Sequence, residues 1–231
     1  MSYKTVCVAG GGVLGSQIAF QAAYCGFDVT IWLRSEGSIG RTQPKIDHVC
    51  EEYIAAIEGM ADGTGEWCSG IADSGKPFDK EVALAAVERA YSTLKLELDL
   101  AKAVADADLV IESMAEDTQA KIDFYKKLAP VLPQKTVIVT NSSTLLPSTF
   151  AKYTGRPEKY LSLHFANSIW KNNMTEVMAQ DQTDKRYFDE LVDFANDIRM
   201  LALPVNKEKN GYLLNSMLVP WLLSGLDLYV S

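Results

Sequence analysis

Histidine and cysteine are scarce in this chain, and its basic residues are outnumbered. The 231 residues hold two histidines and four cysteines, and 22 Lys and Arg stand against 30 Asp and Glu, a net charge of -8. A duplex or an anionic membrane would need a cationic surface, so neither a nucleic-acid nor a membrane partner is expected. His48 and His164 lie far apart with no cysteine pair near either, so no metal site is expected. Cys7, Cys25, Cys50 and Cys68 show no C-x-x-C spacing. Cys7 and Cys25 read as buried free thiols. With no secretory leader pattern at the N-terminus, a reducing cytoplasm is the expected compartment. Low-complexity tracts and internal repeats are absent too.

What is present is 48% apolar and 23% charged residues, enough to bury a real core. Thr5 to Ala9 is a short β-branched run that leads into a glycine cluster. Ile18, Ala19, Ala22 and Ala23 then recur at helical spacing, with Gly26 as a stop. Strand-like runs follow at 29–33, 94–98, 109–112, 136–140 and 160–164, and a mostly helical insert fills 41–90. Continuous apolar strands alternating with helices predict an α/β fold, a doubly wound parallel sheet covered on both faces. Beyond a polar link at 204–210, residues 211–230 are almost wholly apolar. Asn215, Pro220 and Asp227 interrupt that run, which favours a buried helix over a membrane span.

Gly10, Gly12 and Gly15 fit G-x-G-x-x-G between a predicted strand and a predicted helix, the context that gives the motif meaning. Gly10 permits the tight turn, Gly12 lets backbone approach a pyrophosphate, and Gly15 lets helix and strand pack closely. The N–H groups at the helix start, around Val13 and Leu14, then face the phosphates of a dinucleotide. A Rossmann-type nicotinamide dinucleotide site is expected here, against the alternative of a purely structural βα turn. The end of the second strand, where an acidic residue usually holds the ribose hydroxyls, reads Leu33-Arg34-Ser35. Arg34 there points to NADP(H), with Ser35 beside it. The other reading is a solvated Arg34 with NAD bound without the carboxylate.

Three later segments are more specific. Thr140-Asn-Ser-Ser-Thr-Leu145 leaves a strand, Leu163-His164-Phe-Ala-Asn167 ends the next with Glu176 twelve residues beyond the histidine, and Asn210-Gly-Tyr-Leu-Leu-Asn215 opens the last helix. In order and spacing they resemble the 3-hydroxyacyl-CoA dehydrogenase family, with its N-T-S-S-L, H-F-F-N-P and G-F-I-x-N-R segments. The resemblance runs from the first strand to the last residue and is weakest across 35–90. It implies that His164 is the catalytic base, Glu176 its orienting partner, and Ser143 and Asn215 the polar groups around the substrate oxygen. It also places Glu116, Lys121, Ser143 and Asn167 near the cofactor. These types suit alcohol oxidation: an imidazole takes the hydroxyl proton, a carboxylate fixes its tautomer, and hydrogen-bond donors meet the developing charge.

Departures are visible. His164-Phe-Ala-Asn-Ser168 lacks the family's proline, and Thr144 replaces its second serine. The resemblance implies a dinucleotide-binding domain over 1–205 and, over 206–231, the first helix of a helical domain that completes the acyl-CoA site and forms a homodimer. The expected substrate is a small molecule, a short-chain 3-hydroxyacyl-CoA. The alternatives are a free hydroxy acid, as in gulonate- or carnitine-type dehydrogenases of this fold, or a dinucleotide-binding module without turnover. Arg41, Lys45, Lys76 and Lys80 are the cations available in the insert. His48 is given no role.

Overall fold

The computed structural model describes residues 3–230. Eight strands form one sheet in the order β3-β2-β1-β4-β5-β6-β7-β8. Their ranges are Thr5–Ala9 (β1), Asp28–Trp32 (β2), Lys95–Glu97 (β3), Leu109–Glu112 (β4), Val137–Thr140 (β5), Tyr160–Phe165 (β6), Met174–Met178 (β7) and Leu201–Val205 (β8). All neighbouring strands run parallel except β6 and β7. The helices are Val13–Tyr24 (α1), Glu36–Asp62 (α2), Lys80–Thr93 (α3), Leu100–Val104 (α4), Thr118–Leu128 (α5), Lys185–Asp197 (α6) and Leu214–Val230 (α7).

The period of two along each strand divides the core. Val6, Val8, Leu109, Ile111, Val137 and Val139 face one hydrophobic cluster, which α1, α2, α3 and α6 cover. Cys7, Ala9, Val110 and Ile138 face the other, under α4 and α5. Each fully buried Val, Leu or Ile is worth about 1.5–3 kcal/mol, so slipping one strand by a residue would be prohibitive. The doubly wound architecture expected from the sequence is therefore present. Chain order reverses between β1 and β4, and the crevice at the carboxyl ends of those strands is where such sheets bind ligands.

The insert is helical, as expected, with α2 longer than its pattern suggested. Ile46, Val49, Tyr53 and Ile57 form its buried stripe. Gln21 of α1, itself fully buried, donates to the carbonyls of Gly70 (2.8 Å) and Ile198 (2.9 Å) and accepts from the Tyr53 hydroxyl. One amide thus ties the first helix to the insert and to the end of α6. Gly26 takes a left-handed φ of 96° and its N–H bonds to Ala23, which stops α1 where the sequence placed the stop.

The last helix does not follow expectation. α7 forms, but it buries none of its residues, and Trp221 is 74% exposed. Its apolar residues lie all round the helix, and it meets the sheet at its start, where the Leu213 and Leu214 N–H groups bond to Glu176 of β7. No helix of the described chain is long and apolar enough to cross a membrane.

Candidate active site

The cradle is built first, by β1, the glycine turn and α1. Gly10 has a φ of 121°, and a Cβ there would meet the Ser113 carbonyl oxygen at 2.5 Å. A Cβ on Gly15 would stand 2.1 Å from the Gly10 carbonyl oxygen. At Gly12 nothing lies within 4 Å, so backbone is open to an approaching group. Aspartates cap α3, α4, α5 and α6 by accepting a backbone N–H. By contrast, α1 begins at Gly12 with no side-chain cap. Its first N–H groups, at Val13, Leu14 and Gly15, are thus directed at the crevice, with the helix dipole favouring an anion. Gly15→Ala forces the β1–α1 turn apart, costing about 1–3 kcal/mol. We expect a lower urea midpoint together with weaker NADH binding by fluorescence; unchanged binding would contradict the close-packing role of Gly15.

A cavity of about 270 Å³ continues from this cradle, lined by Gly10, Gly11 and Gly12, the strand end Leu33-Arg34, Ser38, Arg41 and Lys45 of α2, and Ser113 to Ala115 after β4. Leu33 is buried against Gly11, whereas Arg34 is exposed.

The proposed acid/base group sits farther along the same sheet edge. β6 and β7 pair antiparallel with His164 directly opposite Glu176. His164 Nδ1 lies 2.8 Å from Glu176 Oε2, and His164 Nε2 lies 3.2 Å from Ser143 Oγ. Both members of the pair are buried, at 5% and 2% exposure. The other Glu176 oxygen accepts the N–H groups of Leu213 (2.7 Å) and Leu214 (2.8 Å) at the start of α7. Burial opposes ionisation of Glu176, but the hydrogen bonds from His164, Leu214 and Leu213 outweigh it and hold the carboxyl below its usual range.

A lowered folded pKa gives stability that is present above the unfolded carboxylate range and lost as pH falls through the folded value. Wild type should therefore exceed Glu176→Gln in denaturant stability at neutral pH. The gap should shrink below the usual carboxylate range; a gap independent of pH would contradict an ionised Glu176.

The Ser143 loop is clamped from β4's side. Glu116 accepts from Ser142 Oγ at 2.9 and 2.8 Å and from the backbone N–H of Ser143 (2.5 Å) and Thr144 (3.2 Å). Asn215, one residue after Leu214, lies in the first turn of α7 and is half-buried. Asn167 is exposed just beyond β6, and its neighbour Ser168 is tied to α1 by Gln17 Oε1 at 2.9 Å.

Lys121 lies deeper than the sequence reading implies. It is 1% exposed, donates to both oxygens of buried Glu112 at 2.6 and 2.7 Å, and stands 3.7 Å from Glu116. Its direct partner is thus a second carboxylate beneath the site.

Several participants were not foreseen. Glu112 carries Lys121, the Tyr125 hydroxyl and the Thr140 hydroxyl. The ring of Tyr212 lies over the His164 imidazole, with centroids 4.7 Å apart and planes at 26°. Gly211 and Tyr212 both have positive φ, 78° and 53°, so the chain turns sharply there before α7. A tyrosine at that place was visible in Asn210-Gly-Tyr-Leu-Leu-Asn215, but no spacing rule assigns it to the histidine.

The chain has relatives among known proteins. Residues 5–209 match the family described as 3-hydroxyacyl-CoA dehydrogenase, NAD binding domain. The human mitochondrial hydroxyacyl-coenzyme A dehydrogenase is 29% identical over 227 residues, 98% of this chain and 66% of that protein. The 3-hydroxybutyryl-CoA dehydrogenase of Clostridioides difficile is 27% identical over 224 residues, 97% of this chain and 71% of the relative. The chain thus spans about two thirds of the length of the curated relatives it matches. Among solved structures, a diketoreductase described as catalysing reactions of dicarbonyl compounds superposes with a TM-score of 0.83 at 40% identity, covering 100% of this chain and 74% of that one. By the family match over residues 5–209, the chain belongs to the 3-hydroxyacyl-CoA dehydrogenase family and carries that family's NAD-binding domain.

Proposed function

We propose that the protein transfers hydride between a nicotinamide cofactor and the 3-hydroxy or 3-keto carbon of a short-chain acyl-CoA, with His164 and Glu176 as the acid/base pair. The observation that carries this reading is the position of His164, held between Glu176 and Ser143 at the sheet edge that also bears the glycine cradle. A bound nicotinamide supplies the hydride acceptor or donor. The protein's own part is proton management. Glu176 holds Nδ1 as the protonated nitrogen, which leaves Nε2 to take the substrate hydroxyl proton or to return it. As positive charge develops on the imidazole, the ionised carboxylate stabilises it. Ser143 Oγ, within reach of Nε2, and the Asn215 amide supply donors for the developing oxyanion. Glu116 acts by fixing the Ser143 loop.

The cradle fits such a cofactor: Gly12 is open, α1 is uncapped, and Gly10 and Gly15 admit no side chain. We propose a preference for NADP(H), since Arg34 follows Leu33 where a carboxylate would otherwise bind the ribose hydroxyls. Residues 206–231 are proposed to open a helical domain that completes the substrate site and pairs two copies. The four cysteines are free, which suits a reducing compartment such as the cytoplasm.

A second reading has a specific observation behind it. The diketoreductase, described as acting on dicarbonyl compounds, is 40% identical to this chain. An uncharged 1,3-dicarbonyl presents the same ketone to His164 without a CoA tail. Initial rates with acetoacetyl-CoA, a 1,3-diketone and free acetoacetate, each against NADH and NADPH, separate the readings. Turnover confined to the thioester supports the first and turnover confined to the diketone the second. Failure of every carbonyl despite tight dinucleotide binding removes both.

A further inference from the structure

We propose that Arg34, Arg41 and Lys45, with Ser38, form a binding site for a phosphate monoester carried on an adenosine ribose. The inference rests on the dinucleotide reading above and gives its adenosine end a specific chemistry.

The chain is net -8, yet the residues lining the cavity beyond the glycine cradle include three cations and no carboxylate. Eight cations elsewhere, Lys76, Lys80, Lys95, Lys121, Lys135, Lys185, Arg186 and Arg199, each have a carboxylate within 4.0 Å, which neutralises them locally. Among the described residues Arg34, Arg41 and Lys45 have no such ion pair. Three like charges around one cavity repel one another unless an anion enters it.

Geometry points the same way. Arg41 and Lys45 are four apart on α2 and share a face, with Ser38 one turn earlier. Arg41 Nη2 donates to Ser38 Oγ at 3.0 Å, and Lys45 Nζ donates to the Arg41 carbonyl, so both long side chains are already partly ordered. Arg34 enters from the end of β2. Leu33, buried beside it, offers no acceptor to ribose hydroxyls, so recognition there falls to donors. A guanidinium fork and an ammonium converging on one small cavity suit a phosphate monoester with two negative charges.

This chemistry has two possible sources. One is the 2′-phosphate of NADP(H). The other is the 3′-phosphate of coenzyme A, because Arg41 and Lys45 also line a neighbouring cavity of about 450 Å³ bounded by Pro44, His48, Ser168 and Trp170, although one carboxylate, Glu52, lines it too. Isothermal titration with adenosine 2′,5′-bisphosphate, adenosine 3′,5′-bisphosphate, 5′-AMP and NADH distinguishes them without relying on turnover. We expect one bisphosphate to bind at least about tenfold tighter than AMP, as charge-assisted contacts require, with affinity falling as salt rises. Arg41→Met combined with Lys45→Met should erase the bisphosphate's advantage over AMP. Preference for the 2′ isomer assigns the site to NADP(H), and preference for the 3′ isomer assigns it to CoA. Equal binding of all three nucleotides by wild type overturns the site. If NADH still binds tightly in that case, the dehydrogenase reading stands; if nothing binds, both fall.

Discussion

Replacing His164 by glutamine is expected to lower kcat by about 10²–10⁴-fold, the range for losing a general acid/base, while dinucleotide affinity stays nearly unchanged. Glutamine has similar polarity and can still donate toward Glu176, but it cannot take a proton at neutral pH. The glycine cradle lies on β1 and α1, whereas His164 lies on β6, three strands from β1 in the sheet order. A change at His164 therefore leaves the cradle intact. The loss should appear in kcat rather than in cofactor affinity, and stopped-flow binding alongside steady-state rates measures both. Unchanged turnover would remove His164 from the chemistry. Parallel loss of rate and binding would show instead that the substitution disturbed the sheet.

The second large effect concerns stability. Lys121→Met should destabilise the protein by about 3–5 kcal/mol, the cost of leaving one member of a buried ion pair alone. Lys121 and Glu112 are 1% and 0% exposed and 2.6 Å apart. Tyr125, Thr140 and the Met114 N–H also meet the Glu112 carboxylate, but all are neutral donors. Removing the ammonium therefore strands a charge beneath the Ser142–Thr144 loop. Replacing both partners, Glu112→Leu with Lys121→Met, should recover much of the loss, because paired removal leaves no orphaned charge. Chemical denaturation of the two variants checks this; equal destabilisation by single and double variants would contradict it.

The fold and the site were legible to different degrees, for physical reasons. The strands that carry the glycine loop and His164 are continuous apolar runs flanked by turn residues, and burial on both faces writes that pattern directly. β7 and β8 were not seen. Met174-Thr-Glu-Val-Met178 has a carboxylate in its middle, and Leu201-Ala-Leu-Pro-Val205 contains a proline that only an edge strand tolerates. The feature that hid β7 is Glu176, the residue that faces His164. A spacing of twelve residues agreed with pairing, but the antiparallel register that sets the two side by side is a tertiary fact.

Lys121 was placed near the cofactor by resemblance, while Glu112 read as the end of an ordinary core strand. Composition carries no sign that a lysine and a glutamate are buried against each other. Likewise, the apolar run of 211–230 reads as a buried helix because hydropathy reports what a segment would gain by burial. It does not say whether the rest of the described chain covers it, and here α7 is exposed. Arg41 and Lys45 could be named as available cations, but their convergence with Arg34 depends on how α2 leaves the end of β2.

The most direct test of the proposed chemistry is isotope transfer. Reduced nicotinamide dinucleotide carrying deuterium at the transferable position is incubated with the protein and acetoacetyl-CoA or a 1,3-diketone, and the product is read by mass spectrometry. Wild type should place one deuterium on the carbinol carbon, and His164→Gln should show a large loss of labelling rate. Tight binding of the labelled cofactor with no deuterium in any carbonyl substrate would contradict the proposed chemistry and leave a dinucleotide-binding module.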